Sequence, residues 1–242
     1  MTDIPEQLIE HLRSAAKVVV STGAGVSAES GVPTFRGKDG IWNKMSPQEL
    51  ASVDGFMANP ELVWDWYQYR RELMNKVEPN PGHEAICKME RLFDNFVLIT
   101  QNVDNLHQRA GSSNIIELHG NATRNKCFSC NELFEGDINL KDKLPHCHCG
   151  GMIRPDVVWF GEMLPERAIQ NAIKSAEEAE VFFSVGTSAM VQPAASLPLI
   201  ARQAGAFVVE INIESTSLTN IADIFLQGLS GEVLPHLIAE LT

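Results

Sequence analysis

Three patterns in the 242-residue chain bring reactive side chain types close together. The first is Cys127-x-x-Cys130, then 16 residues, then Cys147-x-Cys149 followed by Gly150-Gly151. Two cysteine pairs at this separation can close a tetrahedral thiolate site for zinc, and the glycines permit the tight knuckle that aims sulfurs at one point. Four thiolates leave no open coordination position, so such a metal is structural rather than catalytic. The second pair is one residue shorter than usual, and His146 and His148 are alternative ligands. Cys87 stands apart and reads as a helix core residue. A secreted disulfide protein would spread its cysteines and usually hold an even number of them.

The second pattern is Val18-Val19-Val20-Ser21-Thr22 running into Gly23-Ala24-Gly25-Val26-Ser27-Ala28. Glycines let backbone approach a pyrophosphate, and a helix that follows offers free N–H donors. The same turn also serves as plain strand-to-helix geometry. No acidic residue at the end of a next strand follows about 20 positions on. Instead comes a Gly/Pro loop, Pro33-Thr34-Phe35-Arg36-Gly37, whose aromatic and arginine could cover a nucleotide or simply face water.

The third pattern is polar residues at strand ends. Thr100-Gln101-Asn102-Val103-Asp104 follows one apolar run, and Leu118-His119-Gly120 another. Gln101, Asn102 and Asp104 can read an amide and a ribose, or cap a helix. His119, with a near-neutral pKa, is the best available general base, although a lone histidine can also be purely structural. Gly186-Thr187-Ser188 and Asn212-Ile213-Glu214 also follow apolar runs, and Asn212 and Glu214 could fill the missing ribose role.

Positioning these groups requires a scaffold. Residues 17–22, 95–100, 181–185 and 206–212 are short β-branched runs that read as buried parallel strands. Helical patterns over 165–179, 198–204 and 232–241 lie between or after them. The alternation predicts a doubly wound α/β sheet. Residues 41–80 hold Trp42, Trp64, Trp66 and both tyrosines and read as helical, while 121–154 hold the cysteines with little apolar periodicity. Both read as insertions that build a smaller domain.

Composition narrows the function. Hydrophobic residues make up 44% and charged residues 21%, ordinary for a soluble globular protein and incompatible with general disorder. Lys+Arg 19 against Asp+Glu 31 leaves a net charge of −12, which disfavours binding to nucleic acid phosphates or anionic membranes. No apolar run reaches the roughly 18 residues of a membrane span. The first 17 residues carry acids early and read as an amphipathic helix rather than a signal peptide. A cytoplasmic, monomeric protein is expected.

In joint order, Gly23-Ala24-Gly25-Val26-Ser27, Pro33-Thr34-Phe35-Arg36, Gln101-Asn102-Val103-Asp104, Leu118-His119-Gly120, the four cysteines, Gly186-Thr187-Ser188 and Asn212 are specific. The chain resembles the sirtuin (Sir2) family of NAD-dependent protein lysine deacylases over nearly its whole length. The resemblance implies a discontinuous Rossmann-like NAD-binding domain over 1–36, 83–120 and 155–242. It implies a smaller domain with a helical part over 37–82 and a zinc-binding part over 121–154. NAD, consumed as co-substrate, and acyl-lysine proteins would meet in the cleft between them.

The resemblance implies that His119 is the general base for the ribose hydroxyl and that Asn102 and Asp104 serve the nicotinamide end. NAD would also touch Gly23, Ala24, Gly25, Ser27, Gln101, Gly186, Thr187, Ser188, Asn212, Glu214 and Ser230, with Phe35, Arg36 and Trp42 around it. Val157, Trp159, Phe160 and Gly161 would belong to a segment that pairs with the substrate backbone as an added strand. One zinc would sit on the four cysteines. Tyr67-x-x-Arg70 is similar to the subgroup that removes succinyl and malonyl groups, where hydroxyl and guanidinium would hold the distal carboxylate. Without the resemblance, Tyr67 packs and Arg70 is solvated, and Arg71 is an adjacent competitor about 100° round the helix. The rival functions are a plain deacetylase, a mono-ADP-ribosyltransferase, and a non-catalytic NAD or ADP-ribose sensor.

Overall fold

A computed structural model describes residues 3–35, 40–136, 138 and 144–242. In chain order these form α1 (Glu6–Ser14), β1 (Val18–Thr22), α2 (Ala24–Ala28), α3 (Pro47–Leu50), α4 (Val53–Ala58), α5 (Pro60–Lys76) and α6 (Pro81–Leu92). Next come β2 (Phe96–Thr100), α7 (Leu106–Arg109), β3 (Ile115–Glu117), β4 (Gly120–Cys127), β5 (Leu133–Phe134) and β6 (Ile153–Val157). The chain closes with α8 (Glu166–Glu177), β7 (Val181–Val185), α9 (Leu197–Gln203), β8 (Phe207–Asn212), β9 (Ile224–Gln227) and α10 (Ser230–Leu241).

The larger sheet has the order β3-β2-β1-β7-β8-β9, and every neighbouring pair is parallel. Its apolar runs are unbroken because helices cover both faces. Val18 and Val20 point into a core shared with α1, α6 and α10, while Val19 points into one shared with α8 and α9. The chain winds outward from β1 in one direction and then from β7 in the other. The strand order therefore reverses between β1 and β7, and a crevice opens beyond their carboxyl ends at Thr22 and Val185.

The smaller unit joins α3, α4 and α5 to an antiparallel sheet of order β5-β4-β6. Phe56, Trp64, Tyr67, Cys127, Ile153 and Trp159 share its core. Helix α5 starts on Pro60, with Asn59 Oδ1 accepting from Leu62 N at 3.1 Å. Strands β4 and β6 escape sequence reading because polar and charged residues interrupt their few buried apolar ones. Asp156 meets Arg124 at 3.0 Å and Lys126 at 3.3 Å. Strand β9 escapes because it is a short, partly exposed edge. No described helix is long and apolar enough to cross a membrane.

Candidate active site

The crevice floor is backbone against backbone. Gly25 N donates to Gly186 O at 2.9 Å, and Gly23 N to Val185 O at 3.0 Å. A Cβ at Gly25 would lie 2.8 Å from Gly186 Cα, and one at Gly23 2.8 Å from Gly186 O. Gly186 itself has φ +61°, a conformation side chains disfavour. The two glycine motifs of the sequence thus meet at the reversal point, and Ala24 opens α2 there.

Behind this floor lies a buried polar network. Asn80 N donates to His83 Nδ1 at 3.3 Å in the capping box of α6, so the His83 proton sits on Nε2 and is offered to Ser27 Oγ at 3.3 Å. Asn102 Nδ2 donates to Gly23 O at 3.0 Å and to Ser27 Oγ at 3.1 Å. Both amide hydrogens are spent, so Asn102 Oδ1 remains an acceptor. Asp104 is 5% exposed, and one carboxylate oxygen, Oδ1, accepts from Leu106 N at 3.0 Å. Burial lowers His83 to about 4 against the opposing charge of Asp104, which keeps the imidazole neutral.

His119 stands between β3 and β4. Its Nδ1 lies 3.1 Å from Gln101 O, which can only accept, so Nδ1 carries the proton and Nε2 keeps a lone pair. Burial lowers its pKa, and the bond to Gln101 partly opposes this. His119 O accepts from Val158 N at 2.9 Å, tying the histidine to the 157–161 segment.

An aromatic wall faces that segment. Phe35 and Trp42 centroids lie 5.4 Å apart, Trp42 and Trp66 5.8 Å, and Trp42 and Phe160 6.1 Å. Arg70 is buried, with its guanidinium 4.7 Å from the Phe35 centroid and 5.4 Å from that of Trp66. Burial lowers its pKa, while Tyr67 and Asp104 favour the charged form. Tyr67 is buried beside it, and its Oη accepts from Trp159 Nε1 at 2.9 Å. Arg71, the competitor by sequence, is committed to β4, with Nη2 donating to Asn125 Oδ1 at 2.6 Å and Nε to Ala122 O. Arg36 lies outside the described residues. Phe160 is exposed, whereas the Trp159 indole is buried, so Trp159 offers a substrate no side chain surface.

At the far side of the crevice, Asn212 Nδ2 donates to Thr187 O at 2.8 Å, and Thr187 Oγ1 meets Ser184 Oγ at 3.1 Å. Ser188 and Glu214 are exposed. Ser230 is engaged elsewhere in part: its hydroxyl donates to Glu29 Oε1 at 2.8 Å, closing α10 onto the end of α2. Sequence reading missed Glu29 and also Glu210. Glu210 is 1% exposed and holds the hydroxyls of Thr216 and Thr219 on the loop after β8. An acidic residue inside an apolar run was the available signal for Glu210.

The four cysteine sulfurs all lie within 4.8 Å of one another, with Cys127 to Cys149 at 3.4 Å and Cys130 to Cys147 at 3.8 Å. Tetrahedral zinc at about 2.3 Å from each sulfur needs them about 3.8 Å apart, so the donor set fits. The shortened pair closes because Gly150 adopts φ +85° and because a Cβ at Gly151 would fall 2.7 Å from Cys127 Sγ. His146 is outside this cluster, and His148 groups instead with Glu132 and Cys147. The four cysteines could bind a structural zinc. The crevice likewise suits NAD, with a side-chain-free floor at the reversal point and the Asn102 and Asp104 acceptors beside it.

The Sir2 family model matches residues 23–193. An NAD-dependent protein deacylase of Aquifex aeolicus (strain VF5) is 55% identical over 208 residues, covering 85% of this chain and 87% of that protein. NAD-dependent protein deacylase 1 of Archaeoglobus fulgidus is 51% identical over 235 residues, covering 96% of each chain. A solved Sir2 homologue in complex with NAD superimposes with TM-score 0.92 at 48% identity, covering 99% of this chain and 94% of that one. A Sir2 complex with a p53 peptide and NAD+ gives TM-score 0.86 at 33% identity, covering 97% of each chain. The parallel sheet, the glycine floor at its reversal point and these likenesses agree: the chain belongs to the Sir2 family.

Proposed function

We propose that this NAD-dependent protein deacylase favours lysines whose acyl group ends in a carboxylate, succinyl and malonyl above acetyl. The observation that carries this reading is Arg70. It is 6% exposed, stacked on Phe35 and Trp66, and has no ion-pair or hydrogen-bond acceptor among the described residues. A buried guanidinium with no anion in direct contact is costly, and a carboxylate brought by the substrate would relieve that cost. The Tyr67 hydroxyl, on the same face of α5, adds a second donor.

In this reading bound NAD supplies the ribose carbon and hydroxyl that take over the acyl group, and one water is consumed to leave nicotinamide, O-acyl-ADP-ribose and free lysine. His119 takes the ribose proton at Nε2, which the Gln101 bond leaves unprotonated. Asn102 offers Oδ1 to a water or ribose hydroxyl, and Asp104 offers its second oxygen to the carboxamide. Gly23, Ala24, Gly25, Ser27, Gln101, Gly186, Thr187 and Ser188 line the dinucleotide path, with Asn212, Glu214 and Ser230 toward the adenosine end. Phe35 and Trp42 cover it, and the resemblance alone assigns Arg36 to the same role. The backbone of Val157–Gly161 pairs with the substrate. Residues 1–36, 83–120 and 155–242 act as the NAD domain, and 37–82 with 121–154 as its smaller partner. The net charge of −12 fits an enzyme that works on proteins rather than nucleic acid or membranes, and this reading takes it as a monomeric, cytoplasmic one.

The test is NAD turnover on succinyl, malonyl and acetyl versions of one lysine peptide, with products weighed by mass spectrometry. A charge-assisted hydrogen bond worth about 1.5–3 kcal/mol gives an expected preference of about 10- to 150-fold in kcat/KM for the acidic groups. Equal or better acetyl turnover would make it a plain deacetylase. Transfer of ADP-ribose onto protein, or binding without turnover, would overturn the deacylase reading itself.

A further inference from the structure

Trp159 is held from three sides. Its backbone N donates to Glu162 Oε2 at 2.8 Å. The Arg154 guanidinium carbon lies 3.3 Å from the Trp159 ring centroid. The indole Nε1 donates to Tyr67 Oη at 2.9 Å. Arg154 is itself 2% exposed and forks onto Glu162, Nη1 to Oε1 at 2.5 Å and Nη2 to Oε2 at 2.9 Å. Its Nη2 also donates to Val157 O at 2.7 Å. Arg154 Nε has no acceptor among the described residues, so the indole face is the main partner on that part of the guanidinium.

This clamp has a chemical consequence at Tyr67. A phenol carries one hydrogen, and an indole N–H can only donate. Because Oη already accepts from Trp159, the Tyr67 hydrogen is not used in that bond, and it has no acceptor among the described residues. Burial raises the Tyr67 pKa to about 12, so the hydrogen is retained at neutral pH. Tyr67 and Arg70 therefore both hold uncommitted donors, a set that suits a carboxylate and offers no hydrogen bond to a methyl group.

We propose that Trp159 is a positioning residue for acyl selectivity: its indole N–H, clamped by the Arg154–Glu162 pair, holds Tyr67 as a donor toward the distal carboxylate of the acyl group. The proposal rests on the acidic-acyl reading above. A purely structural Trp159 would support both substrates alike. A positioning Trp159 acts only through Tyr67, and only where a carboxylate is present.

The experiment compares succinyl and acetyl versions of one peptide with NAD, using wild type, Trp159→Phe, Tyr67→Phe and the double variant. A further protein carries benzothienylalanine at 159, which keeps the bicyclic shape and deletes only the N–H; thermal unfolding verifies that each variant is folded. Losing one hydrogen bond should lower the succinyl-to-acetyl ratio of kcat/KM about 2- to 13-fold, through the succinyl KM rather than kcat. In the Tyr67→Phe background, removing the N–H should not change the ratio further. If wild type shows no succinyl preference, the acidic-acyl reading fails and takes the proposal with it. If wild type prefers succinyl but deleting the N–H leaves the ratio intact, or still lowers it without the Tyr67 hydroxyl, Trp159 does not act through Tyr67 and the acidic-acyl reading stands alone.

Discussion

The Nδ1 of His119 lies 3.1 Å from the carbonyl oxygen of Gln101. This contact selects the tautomer that leaves Nε2 basic, and burial keeps the ring unprotonated below its ordinary pKa. His119→Ala should therefore retain NAD binding, measured by calorimetry, but lose at least about 100-fold in deacylation rate. A variant keeping more than about a tenth of the wild-type rate would place the base elsewhere. Because the pKa is lowered, the acid limb of the kcat/KM profile should lie below pH 6.5, with activity level from neutral pH down to that limb.

Arg70→Met keeps the apolar stem against Phe35 and Trp66 and deletes the charge. The succinyl-to-acetyl ratio of kcat/KM should fall about 10- to 150-fold, mostly in the succinyl KM. Equal depression of both substrates would assign Arg70 a structural role. Tyr67→Phe should shift the ratio in the same direction by less, since it removes a neutral donor.

His83 ties stability to pH. Its pKa is about 4 in the fold, against 6.5 when exposed, so the unfolded chain binds the extra proton first. The stabilisation is fully present above pH 6.5 and is lost as pH falls toward 4, to a limit of about 3 kcal/mol. Urea unfolding of wild type and His83→Gln should show a steeper acid loss in the wild type over that window. Parallel curves would mean that His83 is already charged, or solvated, in the folded protein.

Metal analysis should find one zinc per chain on Cys127, Cys130, Cys147 and Cys149. Removing it with a chelator, or making Cys127→Ser, should open β4, β5 and β6 to proteolysis, because metal binding is folding energy in so small a sheet. Clearly less than one zinc, with four thiols free to react, would reject the site.

Local sequence carries much of this protein. The run Val18–Thr22 is legible as a buried strand because a parallel strand covered on both faces must be apolar throughout. The four cysteines are legible as one site because ligand spacing is a local property. Strands β4 and β6 are not legible in the same way. They carry Arg124, Lys126 and Asp156 among few apolar residues, and charged residues look alike in a strand and in a loop.

What the tertiary structure alone decides is which distant residues meet. Gly25 and Gly186 are both visible as turn glycines, but only the reversal of strand order brings their backbones together, at a distance no Cβ would tolerate. Arg70 and Arg71 are chemically identical in the sequence. Folding ties Arg71 to β4 and leaves Arg70 between two aromatic rings, because the 100° between them on α5 turns one toward the small sheet and the other toward Phe35. The bond from Trp159 to Tyr67 spans 92 residues, and no local pattern encodes a contact whose two halves are independently explained as core.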